Sequence, residues 1–401
     1  MRTLKLAPLC LLAAISAHAD MEHQKNTLIG GRAATMGGAY TAISDDASGA
    51  FHNPAGLAWA TTSSFSGSAN AYSTSNTVYD KAIDNQDWRR DSANLKPNFF
   101  GVVQKFKKST FAFSYALTDS KVEHQDQIWQ GLTGTVDPID VYVLNLHTED
   151  NTYLVGPSWS TKLNDKTSIG ASLFYHYRVY RRAQSQLLQY TDGDDEASYN
   201  NLTKKEKGLR PKIGFMFSPK DKWSFGATLA KTELVTALTD AQENEKAKGA
   251  SVYSFAQVKS GRKRRTPVEL ETGVAYFPNA FMLVSANLDY AYFADDSTHD
   301  DVINLSLGAE WFLSEKHAFR GGLFTNRTNI PEPTRSSRAR EHIDLYGLTA
   351  GYTMYSQQSS VTFGTIASRG EGKAQIYTGS GAEADVTRTT LDFLISADYG
   401  F

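Results

Sequence analysis

Every second residue is apolar in the last eleven positions of the chain, from Leu391 through Ile395 to Phe401. The positions between them carry mostly polar or small residues. Because successive side chains of a strand point to opposite faces, this stretch predicts a strand with one continuous apolar face. A lipid-facing strand needs such a face, and a half-buried strand of a soluble sandwich is the alternative.

The same alternation recurs along the chain, for example over 169–179, 282–292 and 303–311. The pattern predicts fourteen strands, with lengths near the ~9–11 residues that a tilted strand needs to cross a bilayer. The predicted strands span residues 62–72, 97–107, 109–118, 152–163, 167–181, 208–218, 222–231, 265–277, 281–293, 302–313, 317–325, 342–355, 359–368 and 388–401.

The connections between these strands alternate in length. Short turns follow the even strands, at 107–108, 164–166, 219–221, 278–280, 314–316 and 356–358. Long polar connections follow the odd strands, at 73–96, 119–151, 182–207, 232–264, 294–301, 326–341 and 369–387. A membrane barrel has short periplasmic turns and longer extracellular loops. We therefore predict an all-β protein, a fourteen-stranded antiparallel transmembrane β-barrel with both termini in the periplasm.

The composition agrees with this class of membrane protein. Hydrophobic residues make up 41% of the chain and aromatic residues 12%. No apolar run approaches the ~18 residues of a transmembrane helix, which excludes a helical membrane protein. With 41 basic and 43 acidic residues, the chain lacks the bulk positive charge that attracts nucleic acid, and we expect no nucleic-acid partner.

Residues 1–19 have the features of a secretory signal peptide: two basic residues, a short apolar stretch and a small-x-small cleavage site. The only cysteine, Cys10, lies inside this segment. The mature chain, predicted to begin at Asp20, therefore has no disulfide, thiol nucleophile or cysteine-ligated metal. Since the terminal Phe401 also resembles the sorting signal of outer-membrane barrels, we predict export to the bacterial outer membrane.

Fourteen strands enclose a lumen too wide for wall side chains alone to fill. Residues 28–60 are rich in glycine and alanine and show little alternation. Asp45-Asp46 is placed to cap a short helix over 47–51, and Asn53-Pro54 fits the start of another. We predict that residues 20–61 form a hatch, a plug of short helices inside the lumen, and that residues 62–401 form the barrel.

This glycine-rich segment resembles part of a known family. Its stretches GRAATMGGAY (31–40), DDAS (45–48) and NPAGL (53–57) look like the N-terminal hatch of the FadL family, outer-membrane transporters for long-chain fatty acids and other hydrophobic compounds. Weaker similarity lies at 153–166 and 320–333. The resemblance implies a fourteen-stranded barrel, a hatch that closes its periplasmic side, and a solute that leaves sideways through an opening in the wall.

We therefore expect passive transport of hydrophobic compounds, with long-chain fatty acids as the expected solute and no enzymatic activity, cofactor or metal. Two predicted extracellular loops, 119–151 and 182–207, mix apolar residues with many charges, so a hydrophobic capture surface is only partly visible. The alternatives are a non-conducting barrel that anchors a surface or secretion complex, and an open diffusion porin.

The candidate site residues belong to the hatch and to the inward parity of the strands. The hatch residues expected to gate the path are Asn53, Pro54 and Ala55. The residues expected to line the lumen with apolar surface are Phe174, Tyr180, Phe281 and Leu283.

Two arginines near the outer rim, Arg178 and Arg210, are candidates to bind a carboxylate head group. A guanidinium donates two parallel hydrogen bonds to a carboxylate, which makes this pairing specific. The alternative for each is a salt bridge at the rim or a contact with lipopolysaccharide phosphate.

Other features have simpler interpretations. The basic run 262–265 is expected to contact lipopolysaccharide phosphates. His176, at lumen parity, is expected to be a hydrogen-bonding group of the wall. An outer-membrane phospholipase or protease would need a Ser–His or Asp–His arrangement, and the scattered histidines show none. We expect a monomer surrounded by membrane lipid and lipopolysaccharide.

Overall fold

The computed structural model describes residues 23–134, 137–220, 222–294, 298–333, 341–375 and 383–401, so the predicted signal peptide and the start at Asp20 lie outside the described residues. The strands are β1 (Ser64–Ile83), β2 (Gln86–Phe106), β3 (Ser109–Leu132), β4 (Ile139–Asn164), β5 (Thr167–Tyr190), β6 (Asp195–Lys220), β7 (Trp223–Lys231), β8 (Glu233–Lys246), β9 (Ser254–Ser260), β10 (Val268–Asn279), β11 (Met282–Tyr292), β12 (Val302–Ser314), β13 (His317–Asn326), β14 (Glu341–Tyr355), β15 (Ser359–Gln375) and β16 (Glu383–Gly400).

Fourteen of these strands form a closed antiparallel barrel, which confirms the predicted fold class. Sequence neighbours pair from β1 to β7 and from β10 to β16, while β7 pairs with β10 and β1 pairs with β16. The two remaining strands are an addition at one end: β8 pairs with the part of β6 beyond β7, and β9 pairs with β8. We call the end with long hairpins the outer end and the end with short turns the inner end.

Most of the long loops predicted at the outer end are wrong, because the strands continue through these segments. The β3–β4 ladder extends to Leu132↔Ile139, and the β1–β2 ladder extends to Ile83↔Gln86. The β5–β6 ladder reaches Gln189↔Asp195, and the predicted loop 232–264 contains β8 and β9. These extensions carry many polar residues on their outward faces, so the apolar alternation that marks a lipid-facing strand is lost there.

Between the two ends, the outward face of the barrel is apolar. In β12 the side chains of Ile303, Leu305 and Leu307 are about half exposed, whereas Asn304 and Ser306 between them are buried in the lumen. Exposed large apolar side chains on a closed sheet are typical of a lipid-facing wall. The alternation therefore predicted the fourteen barrel strands, and the facing of these side chains, correctly.

An aromatic edge marks the outer limit of this apolar surface on three neighbouring strands. The rings of Tyr115, Tyr153 and Tyr177 follow one another across β3, β4 and β5, with centroid separations of 6.2 Å at both steps. Rows of aromatic side chains are typical of the water–membrane interface of such barrels. The parts of β1 to β6 beyond this row lie outside the predicted membrane spans.

The N-terminal segment (residues 23–60) contains short helices. They are α1 (Gly31–Thr35), α2 (Gly49–His52) and a 3₁₀ helix over Pro54–Trp59. As predicted, the Asn53 side chain caps the 3₁₀ helix by accepting a 3.1 Å hydrogen bond from the Ala55 amide. Among the described residues, no helix combines the length and the apolar character needed to cross a membrane.

The N-terminal segment touches the barrel wall where glycines stand opposite one another on paired strands. Four such pairs are Gly170↔Gly214, Gly226↔Gly273, Gly308↔Gly322 and Gly351↔Gly364. A Cβ atom at these positions would overlap, in the same order, Pro54, Thr41, Met36 and Thr35. At the first three pairs the contacts include backbone atoms of the segment, which side-chain adjustment cannot relieve, whereas at the fourth pair the nearest atom is Thr35 Cγ2. The wall and the segment therefore approach one another most closely where both paired strands carry glycine.

Charge pairing also fixes the segment to the wall. The Arg32 guanidinium donates to Glu310 of β12 at 2.6 Å and to Asp45 of its own segment at 2.7 Å. Glu310 is almost fully buried and also accepts a 2.6 Å hydrogen bond from Arg320 of β13. Removing one partner of a buried ion pair typically costs about 3–5 kcal/mol, so this cluster holds α1 firmly against the wall.

The glycine contacts lead to a prediction about the neighbours Gly321 and Gly322. Gly322 faces the N-terminal segment, where a Cβ atom would lie 2.7 Å from the Met36 carbonyl oxygen; at Gly321 the nearest atom is 3.6 Å away. Gly322→Val should displace the segment and expose Arg32, so trypsin should cleave after Arg32 several-fold faster in the detergent-solubilised protein. Gly321→Val is the matched control and should leave the rate unchanged. Equal rates for both variants would contradict the assigned packing.

Candidate functional site

A pocket lies between the N-terminal segment and the outer half of the wall. It is a partly open cavity whose volume is about 100 Å³. The residues that line it come from the N-terminal segment, from strands on opposite sides of the barrel and from the links before β8 and β10: Gln24, Lys25, Thr27, Leu28, Ile29, Gly38, Phe51, His52, Thr118, Thr152, Leu154, His176, Arg210, Thr232, Arg264, Thr266, Pro267, Glu269, Glu271, Asn287 and Asp289.

One side of this pocket is apolar. Ile29 and Leu154 belong to a buried cluster of the N-terminal segment and strands β2 to β5, which also includes Phe174, and Phe51 packs against it. The cluster exists because the segment brings small and aliphatic residues against the inward face of these strands. An apolar body placed in the pocket would contact this side and lose its exposure to water.

Ion pairs also line the pocket. Arg210 donates two hydrogen bonds to Glu269, one of them at 2.7 Å, and Lys25 pairs with Asp289. The Arg264 guanidinium donates to both carboxylate oxygens of Glu206, at 3.1 and 3.0 Å. Each of the three pocket cations thus has a carboxylate partner, and the charges compensate one another locally.

Five neutral side chains of the pocket carry a buried polar atom that has no hydrogen-bond partner among the described residues. The atoms are Gln24 Nε2, Thr27 Oγ1, Thr152 Oγ1, His176 Nε2 and Asn287 Oδ1. His176 Nε2 lies 3.9 Å from Glu206 Oε2, which is beyond hydrogen-bond distance. Buried polar groups in proteins are otherwise nearly always paired, so these atoms indicate a site for a polar group.

Next to the pocket, the backbone pairing between β2 and β3 ends. Their ladder ends at Phe99↔Ala116, although both strands continue well beyond it. Beyond this point β2 pairs only with β1, and β3 only with β4. Thr118 lines the pocket and lies two residues after the last β2–β3 pair, at an irregularity of the β3–β4 ladder. The pocket therefore adjoins a seam that lacks backbone pairing.

Side chains bridge this seam farther out. The Gln125 amide donates to the Asp91 carbonyl at 2.8 Å, and the Gln127 amide donates to the Arg89 carbonyl at 2.6 Å. These bonds satisfy two carbonyls of β2 that would pair with a neighbouring strand in a complete ladder. The stretch without β2–β3 backbone pairs thus reaches from the end of the ladder to the bonds of these glutamines.

The N-terminal segment spans the inner side of the seam. The Asn26 amide donates to Asp119 of β3 at 3.1 Å, and the Leu28 carbonyl accepts from Asn98 of β2 at 3.3 Å. On the far side of the lumen, Lys25 Nζ donates to Ser306 of β12 at 2.8 Å. Residues 25–28 therefore cross the lumen and touch both strands that flank the seam.

The predicted gate residues are packed against the wall at the inner side. The Asn53 amide donates to the Thr41 carbonyl at 2.8 Å and to the Phe215 carbonyl of β6 at 3.1 Å. The Ala55 carbonyl accepts from Ser168 of β5 at 2.8 Å, and Pro54 lies against Gly170 and Gly214. These residues join the N-terminal segment to β5 and β6.

The predicted lining residues lie in different places. Phe174 and Leu283 are buried against the N-terminal segment, in two separate apolar clusters. Tyr180 is half-buried near Lys204, whose Nζ atom is 5.9 Å from the ring centroid. The prediction for Phe281 is wrong: this residue lies in the turn before β11, is 58% exposed and does not line the lumen. The apolar alternation of β11 does not apply at position 281, because the strand begins one residue later.

The predicted head-group arginines are both held in ion pairs. Arg178 is buried and donates to both carboxylate oxygens of Asp150, with Nε to Oδ1 at 2.8 Å. Arg210 is paired with Glu269 in the same two-bond manner. The residues of the basic run 262–265 differ in their surroundings. Arg264 lies in the pocket and donates to Glu206, whereas Arg262 and Lys263 are exposed.

Sequence reasoning missed the polar pocket residues Thr27, Lys25, Thr152 and Asn287. Thr152 and Asn287 lie at the inward parity of predicted strands, so the alternation places them in the lumen, but nothing in the sequence distinguishes them from other inward polar residues. Among the described residues, no group of three or more His, Cys, Asp or Glu side chains is arranged to hold a metal ion.

A buried charge cluster lies in the outer end, where the predicted membrane spans end. Arg90 pairs with Glu123 and with Glu341, and Arg388 donates to Glu341 at 2.7 Å. Burial raises the pKa of the Glu123 carboxyl, but the attraction of Arg90 and Lys121 outweighs it and leaves this pKa at about 2. The pKa of Glu341 is also lowered, since Arg90 and Arg388 together outweigh its burial.

These pKa shifts predict acid sensitivity of the outer end. A carboxyl with a lowered folded pKa contributes stability above its unfolded pKa, about 4.3, and loses it as the pH falls toward the folded pKa. Fluorescence of Trp88, which stacks on Tyr79 beside Arg90, should therefore change between about pH 4.3 and pH 2. The Trp88→Phe variant gives the background signal without this tryptophan. Arg90→Met should move the change to higher pH, because the attraction that lowers the pKa of Glu123 is lost. A flat signal across this range would contradict the assignment.

The chain matches no protein-family model and no curated protein. Among solved structures it is similar to a FadL homologue from Pseudomonas aeruginosa, with 14% identity, a TM-score of 0.67, and coverage of 94% of this chain and 100% of that chain. The toluene transporter TodX from P. putida has 12% identity, a TM-score of 0.69 and coverage of 94% and 99%. The toluene transporter TbuX from Ralstonia pickettii has 15% identity, a TM-score of 0.61 and the same coverage.

At these identities, structural similarity establishes a common fold. The resemblance that the N-terminal segment predicted is therefore confirmed at that level: this chain is a fourteen-stranded barrel with the fold of the FadL homologues.

Proposed function

We propose that this protein is a passive transporter that carries hydrophobic compounds across the bacterial outer membrane. The observation that carries the proposal is the continuity between a partly apolar lumen pocket and the unpaired β2–β3 seam beside it. A pocket that adjoins an opening in the wall provides a path for an apolar solute from the lumen to the lipid. The structural relatives named as toluene transporters agree with this class of solute.

The outer membrane is the location that suits this wall. A closed sheet with an apolar outer face and a polar lumen satisfies every backbone group inside a bilayer. The predicted signal peptide supports export, and the short turns then face the periplasm. The apolar outer face also accounts for membrane lipid as the immediate surroundings, and lipopolysaccharide contacts remain for the exposed Arg262 and Lys263.

In this proposal the N-terminal segment acts as the hatch. Its contacts with paired glycines around the wall oppose free diffusion through the lumen, which separates this protein from an open porin. Asn53, Pro54 and Ala55 connect the hatch to β5 and β6, so a movement of the hatch at the inner end must first break their bonds. Gating by these residues is part of the proposal.

Lateral release is the second part of the proposal. The stretch of β3 beyond Ala116 has no backbone partner on its β2 side, and the first residue there, Leu117, is opposite Tyr153 of the aromatic row. The opening thus begins at the membrane interface. A solute leaving there reaches the interface of the outer leaflet, from which an apolar body partitions into the hydrocarbon, and it avoids the polar lumen below. No energy input is required if the cell consumes the solute.

Long-chain fatty acids remain one candidate class of solute in this proposal. Their carboxylates do not have Arg178 or Arg210 as ready partners, since both arginines already donate two hydrogen bonds to a carboxylate of the wall. The alternative function, a non-conducting anchor for a surface or secretion complex, leaves the pocket and the adjoining opening without a role.

A single cysteine placed at Thr118 tests the route, because Cys10 of the predicted signal is the only native cysteine. Cells that produce Thr118→Cys should take up radiolabelled toluene faster than cells without the protein. Attachment of a bulky maleimide should reduce this uptake to nearly the background rate, since Thr118 lies between the pocket and the opening.

The matched control is Thr272→Cys, whose side chain lies on the outward face of β10. Modification of this cysteine should leave uptake unchanged. If the unmodified proteins give no uptake above background, transport is excluded for this solute. Co-purification of a partner in stoichiometric amount would then favour the anchoring function.

A further inference from the structure

The pocket combines an apolar side with neutral polar atoms that have no partner among the described residues. Thr152 and His176 belong to neighbouring strands, and both side chains are at least nine-tenths buried. Each residue has a polar atom in the unpaired set, and both line the pocket beside Leu154. An apolar surface next to unpaired neutral groups suits a ligand with an apolar body and a polar, uncharged head.

Asn287 supports the same chemistry from the opposite wall. Its amide nitrogen donates to Thr41 Oγ1 at 2.7 Å and to the Gly38 carbonyl at 3.2 Å, which fixes its orientation. Its carbonyl oxygen has no partner among the described residues and is therefore an acceptor for a hydroxyl or an N–H group. The unpaired groups of the pocket thus include an acceptor as well as hydroxyls, which can donate or accept.

The charged side chains of the pocket do not favour an anion. Lys25, Arg210 and Arg264 each have a carboxylate partner, in Asp289, Glu269 and Glu206. A carboxylate solute would have to displace one of these partners or remain without a counter-charge in a site of low water access. Both outcomes are costly, because an uncompensated buried charge loses its hydration.

We propose that the pocket selects an uncharged amphipathic solute with one hydroxyl group, such as an alkylphenol, over a carboxylate with the same apolar body. The solute hydroxyl donates to one of the unpaired groups and accepts from another, while the apolar body rests on the side formed by Ile29, Phe51 and Leu154. The inference rests on the proposed transport function and specifies the head group of its solute.

Equilibrium dialysis of the detergent-solubilised protein against three matched probes tests the proposal, with protein-free micelles as the blank. The probes are 4-pentylphenol, 4-pentylbenzoate and pentylbenzene, which share one apolar body and differ in the head group. We expect 4-pentylphenol to bind about tenfold more tightly than either of the other two, the difference that one or two neutral hydrogen bonds provide.

The double variant Thr152→Val, His176→Leu removes two of the unpaired polar atoms with little change in volume. In this variant 4-pentylphenol should bind no more tightly than pentylbenzene, and the affinity for pentylbenzene should stay the same, which shows that the pocket is intact. Thr272→Val, on the outward face of β10, is the control for the substitution itself and should leave all three affinities unchanged.

The other results are equally decisive. Binding of 4-pentylbenzoate as tight as that of 4-pentylphenol overturns the head-group selection and leaves the transport function standing. Equal binding of 4-pentylphenol and pentylbenzene means that the polar atoms serve only water, and also overturns it. If none of the three probes binds above the blank, the pocket is not a hydrophobic-solute site, and the proposed function fails with it.

Discussion

The structure depends on one constraint: inside a bilayer, every backbone N–H and C=O group needs a partner within the protein. The sheet meets it by closing on itself, with β1 paired to β16. Closure with fourteen strands leaves a wide interior, and the N-terminal segment occupies it. The wall carries glycine on both of two paired strands at four places, and at three of them the segment approaches with its own backbone. The pocket is the space that remains above this contact.

The β2–β3 seam is the place where the wall departs from this constraint. Beyond Phe99↔Ala116 the two strands lose their ladder, and the amides of Gln125 and Gln127 replace part of it. The departure is tolerable because it begins level with the aromatic row, where water and polar head groups can satisfy backbone atoms. An opening deeper in the hydrocarbon would leave such groups unpaired. Function and stability therefore favour the same position for the opening.

The sequence was sufficient to predict the fourteen spans, their facing and the start of the 3₁₀ helix at Asn53-Pro54, because each depends on neighbouring residues. It misled where a pattern was weak or overextended, at the polar hairpins of the outer end and at Phe281. Ion pairs such as Arg178–Asp150 could not be predicted from the sequence, because they depend on the register between strands. The pocket residues were inaccessible for the same reason, since they meet only after closure.

The seam between β1 and β16 constrains how the chain is assembled. The N-terminal segment directly precedes β1 and is packed inside the lumen, against strands that are made much later. Since β1 closes the barrel by pairing with the last strand, the segment has to be on the concave side of the curling sheet before that seam forms. A segment left on the convex side would be shut out by the finished wall. If the segment takes its place before β1 pairs with β16, the finished barrel contains it; if the seam closes first, the lumen stays empty.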